Sequence, residues 1–229
     1  MPPRAIIFDF DGVLANSEPL HFLAFHDVLA TEGVVLTEVA YYDRYLGYDD
    51  AGAFRVIGTH HERTWDSRHV ADLVAKKAVR MESLERDVSV LFPGAADVVR
   101  RAAAVMPIAI ASGALGDEIR RVLDREGLTN CFSAIVGAED TPKSKPAPDP
   151  YLRAVALLNS NRGQRLEPHH CVAVEDSVWG LESARAAGLR TVGVAHTYPA
   201  DALAADWVIA SIAEFDIAQL KDRANSRPS

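Results

Sequence analysis

Two aspartates, Asp9 and Asp11, close the apolar run Ala5–Phe8, with Phe10 between them. Carboxylates at the end of a run destined for a core cost desolvation energy unless something needs them there. Three other places in the chain repeat the pattern. Ser112 and Gly113 follow Ile108–Ala111, Glu175-Asp176-Ser177 follow Cys171–Val174, and Lys143 and Lys145 lie in the Pro-rich stretch "EDTPKSKPAPDP" at 139–150. Brought together, these residues form a set of carboxylates that repel one another unless protons or a cation intervene. Oxygen donors without His or Cys suit a hard ion, most simply Mg²⁺. A lysine beside such an ion and a helix start is equipment for holding a phosphate. Each ending also has a plain structural reading. An Asp after a strand is often a turn residue or a cap, and Asp176-Ser177 suit the cap of the next helix. Asp149-Pro150 are assigned that role outright, as N-cap and first helical residue.

The elements that must position these residues are legible as alternating patterns. Short continuous apolar runs at 5–8, 108–111, 134–136, 171–174, 191–194 and 207–209 read as parallel strands buried on both faces. Helical patterns such as 117–126 and 178–187 lie between them. The expected class is therefore α/β, a doubly wound parallel sheet, in which ligands bind at the C-terminal ends of the strands. Residues 15–87 break the rhythm with helical patterns only. Over 66–86, Val70, Leu73, Val74, Met81 and Leu84 keep helical spacing. The expected domains are a core of 1–14 and 89–229 and a helical insert of 15–88. The tail beyond 222 reads as disordered.

Composition excludes several classes. At 229 residues, 48% hydrophobic, the chain can bury a sizeable core. A net charge of −8 argues against a nucleic-acid partner, and no apolar stretch is long enough to suggest a membrane span. Cys131 and Cys171 read as small core residues. With no cleavable signal pattern, a cytoplasmic location is expected. The expected partner is a small phosphorylated metabolite, and the expected assembly a monomer or weak dimer.

Four motifs in order, "DFDGVL" at 9–14, "ASG" at 111–113, "KPAPDP" at 145–150 and "EDSVWGLESARAAG" at 175–188, resemble those of the haloacid dehalogenase superfamily, specifically its phosphatase and β-phosphoglucomutase-like branch. The resemblance implies a Rossmann-like core with a helical cap domain inserted after the first strand. It implies that Asp9 is the nucleophile forming an aspartyl-phosphate, and Asp11 the general acid and then base. Ser112, Gly113 and Lys145 would hold the phosphoryl group. Asp9, Asp11 through its carbonyl, and Asp176 would ligate Mg²⁺, with Glu175 behind them. Asp11 also separates the chain from the dehalogenases, which lack a second aspartate because halide leaves without a proton.

The cap residues implied are His21, Gly47 and one of Lys76 or Lys77. Lys77 sits on the apolar stripe of its helix, so it either snorkels to solvent or points into the gap between cap and core. The chain departs from the family pattern at Asn16, usually Asp, and at Asp50 in "YLGYDDAGAF", 45–54, where related members carry Arg. Asp50 argues against an anionic distal end on the substrate. The leading expectation is an Mg²⁺-dependent phosphatase acting on a sugar or polyol phosphate. The alternatives are a β-phosphoglucomutase-like phosphotransferase and a non-catalytic binding member of the fold.

Overall fold

In the computed structural model, residues 2–45, 48–86, 88–160 and 165–220 are described. Gly47 and the tail beyond 222 lie outside them. In chain order the elements begin with β1 (Ala5–Phe8), α1 (Glu18–Thr31), α2 (Glu38–Arg44), α3 (Asp50–His60), α4 (Ser67–Glu85) and α5 (Ala95–Val105). They continue with β2 (Ile108–Ala111), α6 (Gly116–Arg125), β3 (Phe132–Val136), α7 (Asp149–Asn159), β4 (Cys171–Glu175), α8 (Val178–Ala186), β5 (Arg190–Val194) and β6 (Trp207–Ile209).

The six strands form one parallel sheet in the order β3-β2-β1-β4-β5-β6. The chain runs outward through β2 and β3, then returns to the other side of β1 for β4, β5 and β6. The reversal lies between β1 and β4, where a doubly wound sheet leaves a crevice at its C-terminal edge. β1, β2 and β4 are buried throughout, as their unbroken apolar runs require. β3 is a correction. As an edge strand it is only half-buried, with Ser133 exposed, so burial on both faces does not extend to it.

One face of the sheet, through Ile7, Ala109, Ala111 and Ala173, packs against Tyr151, Ala154 and Leu158 of α7 and Ala184 of α8. Phe8 points to the other face and meets Phe215 edge-on at 5.8 Å. The start of α7 falls one residue earlier than expected. Pro148 takes the cap position, Asp149 is the first helical residue, and no side chain caps the helix. Pro150 is equally at home one place further in, since the N–H it lacks has no intrahelical partner in the first turn. Cys171 is in the core but Cys131 is only half-buried.

Contacts divide the chain into two compact units, Met1–Asn16 with Leu91–Ser229, and Ser17–Val90. The second unit is helical and has its own core of Phe25, Val28, Leu29, Tyr41, Phe54, Ile57, Val70 and Leu73, with Phe25 and Phe54 rings 4.9 Å apart. α4 starts where Asp66 accepts from the His69 N–H at 2.7 Å. Its inner face runs Val70, Leu73, Lys77, Met81, a four-residue rhythm with a lysine in it. No helix among the described residues is long and apolar enough to cross a membrane.

Leu73 is fully buried in the helical unit. Leu73→Ala is expected to cost about 2–5 kcal/mol, from lost transfer energy and the cavity left behind. The shift of the urea-unfolding midpoint measures it, and an unchanged midpoint would show that this core does not hold the unit.

Candidate active site

The strand ends of the core bring distant residues to one place. Asp9 continues the ladder beyond β1, its N–H donating to the Val174 carbonyl at 2.9 Å. Glu175 ends β4 and Asp176 follows it. Ser112 follows β2, its N–H held by the Val136 carbonyl at 3.0 Å and its hydroxyl accepting from the Ala114 N–H at 3.1 Å. Gly113 beside it is exposed. Ligand oxygens of Asp9, Glu175 and Asp176 all lie within 4.8 Å of one another, and all three residues are buried.

Lys145, from the loop before α7, enters this group. Its ammonium donates to Asp9 Oδ1 at 2.8 Å and to Glu175 Oε1 at 2.5 Å. Lys143 remains exposed at the surface. Glu175, with no exposed area, is held on every side. Tyr151 donates to its Oε1 at 2.8 Å, and the Asp176 N–H at 3.1 Å and the Ser177 hydroxyl at 3.2 Å donate to its Oε2. Ser177 caps α8 by accepting from the Gly180 N–H at 3.0 Å. The cap role thus falls to Ser177 and leaves Asp176 for the cluster. α8 approaches so closely that a Cβ on Gly180 would lie 1.9 Å from Glu175 Oε1.

Three carboxylates against one ammonium leave two negative charges in excess in a buried space. Burial pushes the Asp9 carboxyl well above its usual range; Lys145 opposes this, and Glu175 and Asp176 add to it. Burial likewise lifts Asp176 to about 6, against a hydrogen bond from Thr197. Burial works against the Lys145 ammonium, but Asp9 and Glu175 outweigh it and keep it protonated. A divalent cation would relieve this repulsion, and an all-oxygen donor set fits a hard one.

Asp11 lies beyond the strand itself. β1 stops at Phe8, and both Leu14 and Ala15 N–H groups fold back onto the Phe10 carbonyl at 2.9 Å. Asp11 therefore lies in a turn, half-buried, and its carboxylate is outside the metal-competent trio. Gly12 follows with φ +79°, and a Cβ there would lie 2.0 Å from Asp176 Oδ2. Both conditions admit only glycine.

Sequence reasoning missed Tyr151 and Thr197, whose hydroxyls donate to Glu175 and Asp176, and His196, which bonds the Gly12 carbonyl. A signal existed for the last two. "AHTYP" at 195–199 follows β5, at the same edge as the other strand endings.

In the helical unit, Lys77 is only 3% exposed and does not snorkel. Its ammonium donates to Asp50 Oδ1 at 2.8 Å, Asp50 Oδ2 at 2.9 Å and His21 Nδ1 at 2.8 Å. Those bonds use all three of its protons. Lys76 is exposed, with Glu32 Oε1 at 3.5 Å. Nearby, the Tyr41 hydroxyl donates to Glu18, whose carboxyl is raised by burial. His21 is neutral. Burial first, then Lys77, lowers it from 6.5 to about 4. Asn16 is exposed and the cap position of α1 is Ser17, which makes no side-chain cap bond. Among the other histidines, His60 lies in the last turn of α3, and His170 is half-buried, its Nδ1 accepting from the Glu167 N–H at 3.0 Å.

The model of the haloacid dehalogenase-like hydrolases matches residues 3–188. The chain is 34% identical over 226 residues to protein CbbY of Rhodobacter capsulatus, covering 91% of this chain and 93% of the relative. It is 33% identical over 196 residues to hexitol phosphatase B of Escherichia coli K12, covering 83% and 82%. A crystal structure of CbbY from Rhodobacter sphaeroides in complex with xylulose-(1,5)bisphosphate superposes with a TM-score of 0.76 at 27% identity, over 93% of this chain and 96% of that one.

His21 sets a pH expectation. Between pH 6.5 and about 4 the folded chain binds fewer protons at this group than the unfolded chain. The stability it contributes above pH 6.5 is therefore lost as the pH falls through that window. His21→Gln should lose less melting temperature between pH 7 and pH 4.5 than the unsubstituted protein. Parallel curves would show that His21 is not held neutral.

Proposed function

The chain belongs to the haloacid dehalogenase-like hydrolases, and from that premise we propose that it is a cytoplasmic Mg²⁺-dependent phosphatase hydrolysing a sugar or polyol monophosphate. The observation that carries the reading is the Lys145 ammonium held between Asp9 and Glu175. A lysine so placed keeps one oxygen of Asp9 charge-balanced and leaves the other to attack phosphorus.

In the first step the Asp9 carboxylate attacks phosphorus and the bond to the substrate oxygen breaks. The Asp11 carboxyl delivers its proton to that leaving oxygen. The product on the protein is an aspartyl-phosphate at Asp9. Asp11, now a carboxylate, takes a proton from water, which attacks phosphorus and releases phosphate and free Asp9. Splitting one hard displacement into two is the general advantage of a carboxylate nucleophile, and the second step needs a base within reach of water. Ser112 and the Gly113 amide donate to the phosphoryl oxygens, and Lys145 balances its charge. Asp9, Asp176 and the Asp11 carbonyl would hold Mg²⁺, with Glu175 behind them; when bound, the ion supplies the positive charge that keeps Asp9 ionised and offsets the charge of the phosphoryl group.

The helical unit is proposed to read the part of the substrate remote from phosphorus. Asp50 and Lys77 support a neutral, hydroxyl-rich distal end. The Lys77 protons are all engaged, and the Asp50 carboxylate, 34% exposed, repels an anion but accepts from hydroxyls. That argues against a bisphosphate, and so against a phosphotransferase that must hold one. Hexitol phosphatase B is a relative whose name fits this reading, whereas the CbbY complex holds a bisphosphate.

Phosphate release from a panel of hexitol, sugar and polyol monophosphates and sugar bisphosphates, with Mg²⁺, tests the proposal. Monophosphates of polyols or sugars should be preferred, and preference for a bisphosphate would reverse the reading of Asp50. Asp9→Asn should lower kcat by about 10⁴-fold or more with an unchanged melting temperature. Chelation should abolish turnover, Mg²⁺ restore it, and Ca²⁺ inhibit through its looser coordination. Full activity in excess chelator would remove the metal from the scheme.

A further inference from the structure

His196, in the segment after β5, reaches back across the sheet edge to the turn that carries Asp11. Its Nδ1 lies 2.9 Å from the Gly12 carbonyl oxygen. A carbonyl only accepts, so Nδ1 carries the proton. The Nε2 atom then accepts, from the Ile212 N–H at 3.4 Å and the Ser211 hydroxyl at 3.5 Å. The ring also stacks on Phe92, centroids 3.9 Å apart and planes 28° apart. Phe92 is itself tied to the same turn, its N–H donating to the Leu14 carbonyl at 2.9 Å.

We propose that His196 is a positioning residue for Asp11, acting through the Gly12 carbonyl. The segment Asp9–Gly12 is pinned at both ends. At Asp9 the β-ladder to Val174 fixes it, and at Gly12 the imidazole N–H does. On its other side the Gly12 N–H donates to the Ala15 carbonyl at 2.8 Å, which closes the turn but leaves the peptide after Gly12 to the imidazole. With φ +79° and no side chain, Gly12 sits close under Asp176, and the orientation of the peptide that follows it is set by the bond to its carbonyl. Release of that carbonyl lets Asp11, one residue back, wander from the leaving oxygen. A misplacement of about 1 Å can cost on the order of 10²-fold in a proton-transfer step. The inference rests on the assignment of Asp11 as general acid and goes beyond it by naming what aims that acid.

A positioning role differs from a merely structural one in its dependence on the leaving group. An alkoxide must be protonated as it leaves, whereas p-nitrophenolate leaves unaided. The experiment compares His196→Asn with His196→Gln, because the Asn amide N–H takes the place of Nδ1–H and the Gln amide takes that of Nε2. Single-turnover phosphoryl transfer is measured with the alkyl phosphate that the protein turns over best and with p-nitrophenyl phosphate. H196Q should lose about 10–100-fold on the alkyl ester and under about threefold on the aryl ester, while H196N stays within about fivefold of the unsubstituted protein on both. Equal losses on the two esters, or equal behaviour of Asn and Gln, would overturn the proposal. Asp11→Asn is run alongside. If it too shows no alkyl-selective loss, the acid assignment itself has failed and the inference falls with it.

Discussion

The buried ammonium of Lys145 is the interaction on which the core unit's chemistry turns. It joins the end of β1 to the end of β4 across the point where strand order reverses, and it stands between carboxylates that would otherwise repel. A lysine so deep loses hydration that only close, well-formed pairs can offset. The sheet provides them without adjustment, because parallel register places Asp9 beside Val174 and so next to Glu175. Glu175 takes no freedom of its own. Tyr151 from α7, the Asp176 N–H and Ser177 saturate its oxygens, and the side chain-free Gly180 lets α8 close against it.

The helical unit solves a similar problem in the opposite way. Lys77 too is buried, but its partners neutralise it completely, with Asp50 taking two protons and His21 one. The core leaves excess negative charge for an ion to satisfy; in the helical unit the Lys77 ammonium has no proton unshared. A cation held this way orients its neighbours and has no proton left to offer.

The parallel sheet and the order of its elements were legible because buried parallel strands write themselves as unbroken apolar runs. β1, β2 and β6 match residue for residue. The edge strand β3 began earlier than its apolar run, since an edge accepts Phe132 and Ser133 with one side in water. Residue types at strand ends pointed to Asp9, Lys145, Glu175 and Asp176, whose convergence follows from topology alone. Partners supplied by a helix interior were hidden, because Tyr151 reads as core until its hydroxyl is seen against Glu175. The burial of Lys77 was equally hidden. A charge on an apolar stripe says that something unusual happens, but not that Asp50 and His21 satisfy it. Asp11 falls past the end of β1, in a turn, so the strand pattern does not govern it.

The place of β1 in the sheet has a consequence for how the chain is made. β1, one of the two central strands, is the first of the six to be synthesised, yet its neighbours β2 and β4 begin at residues 108 and 171. At typical synthesis rates of about 5–20 residues per second, Ala5–Phe8 waits roughly 5–20 seconds for its first partner. Throughout that interval it is an apolar segment with both edges bare, the condition under which strands pair with the wrong chain. The helical unit has no such delay, being built from residues 17–90 with its own core complete before β2 is synthesised. The segment inserted directly after β1 thus carries a core that needs nothing synthesised later, while β1 itself needs residues a hundred and more positions on.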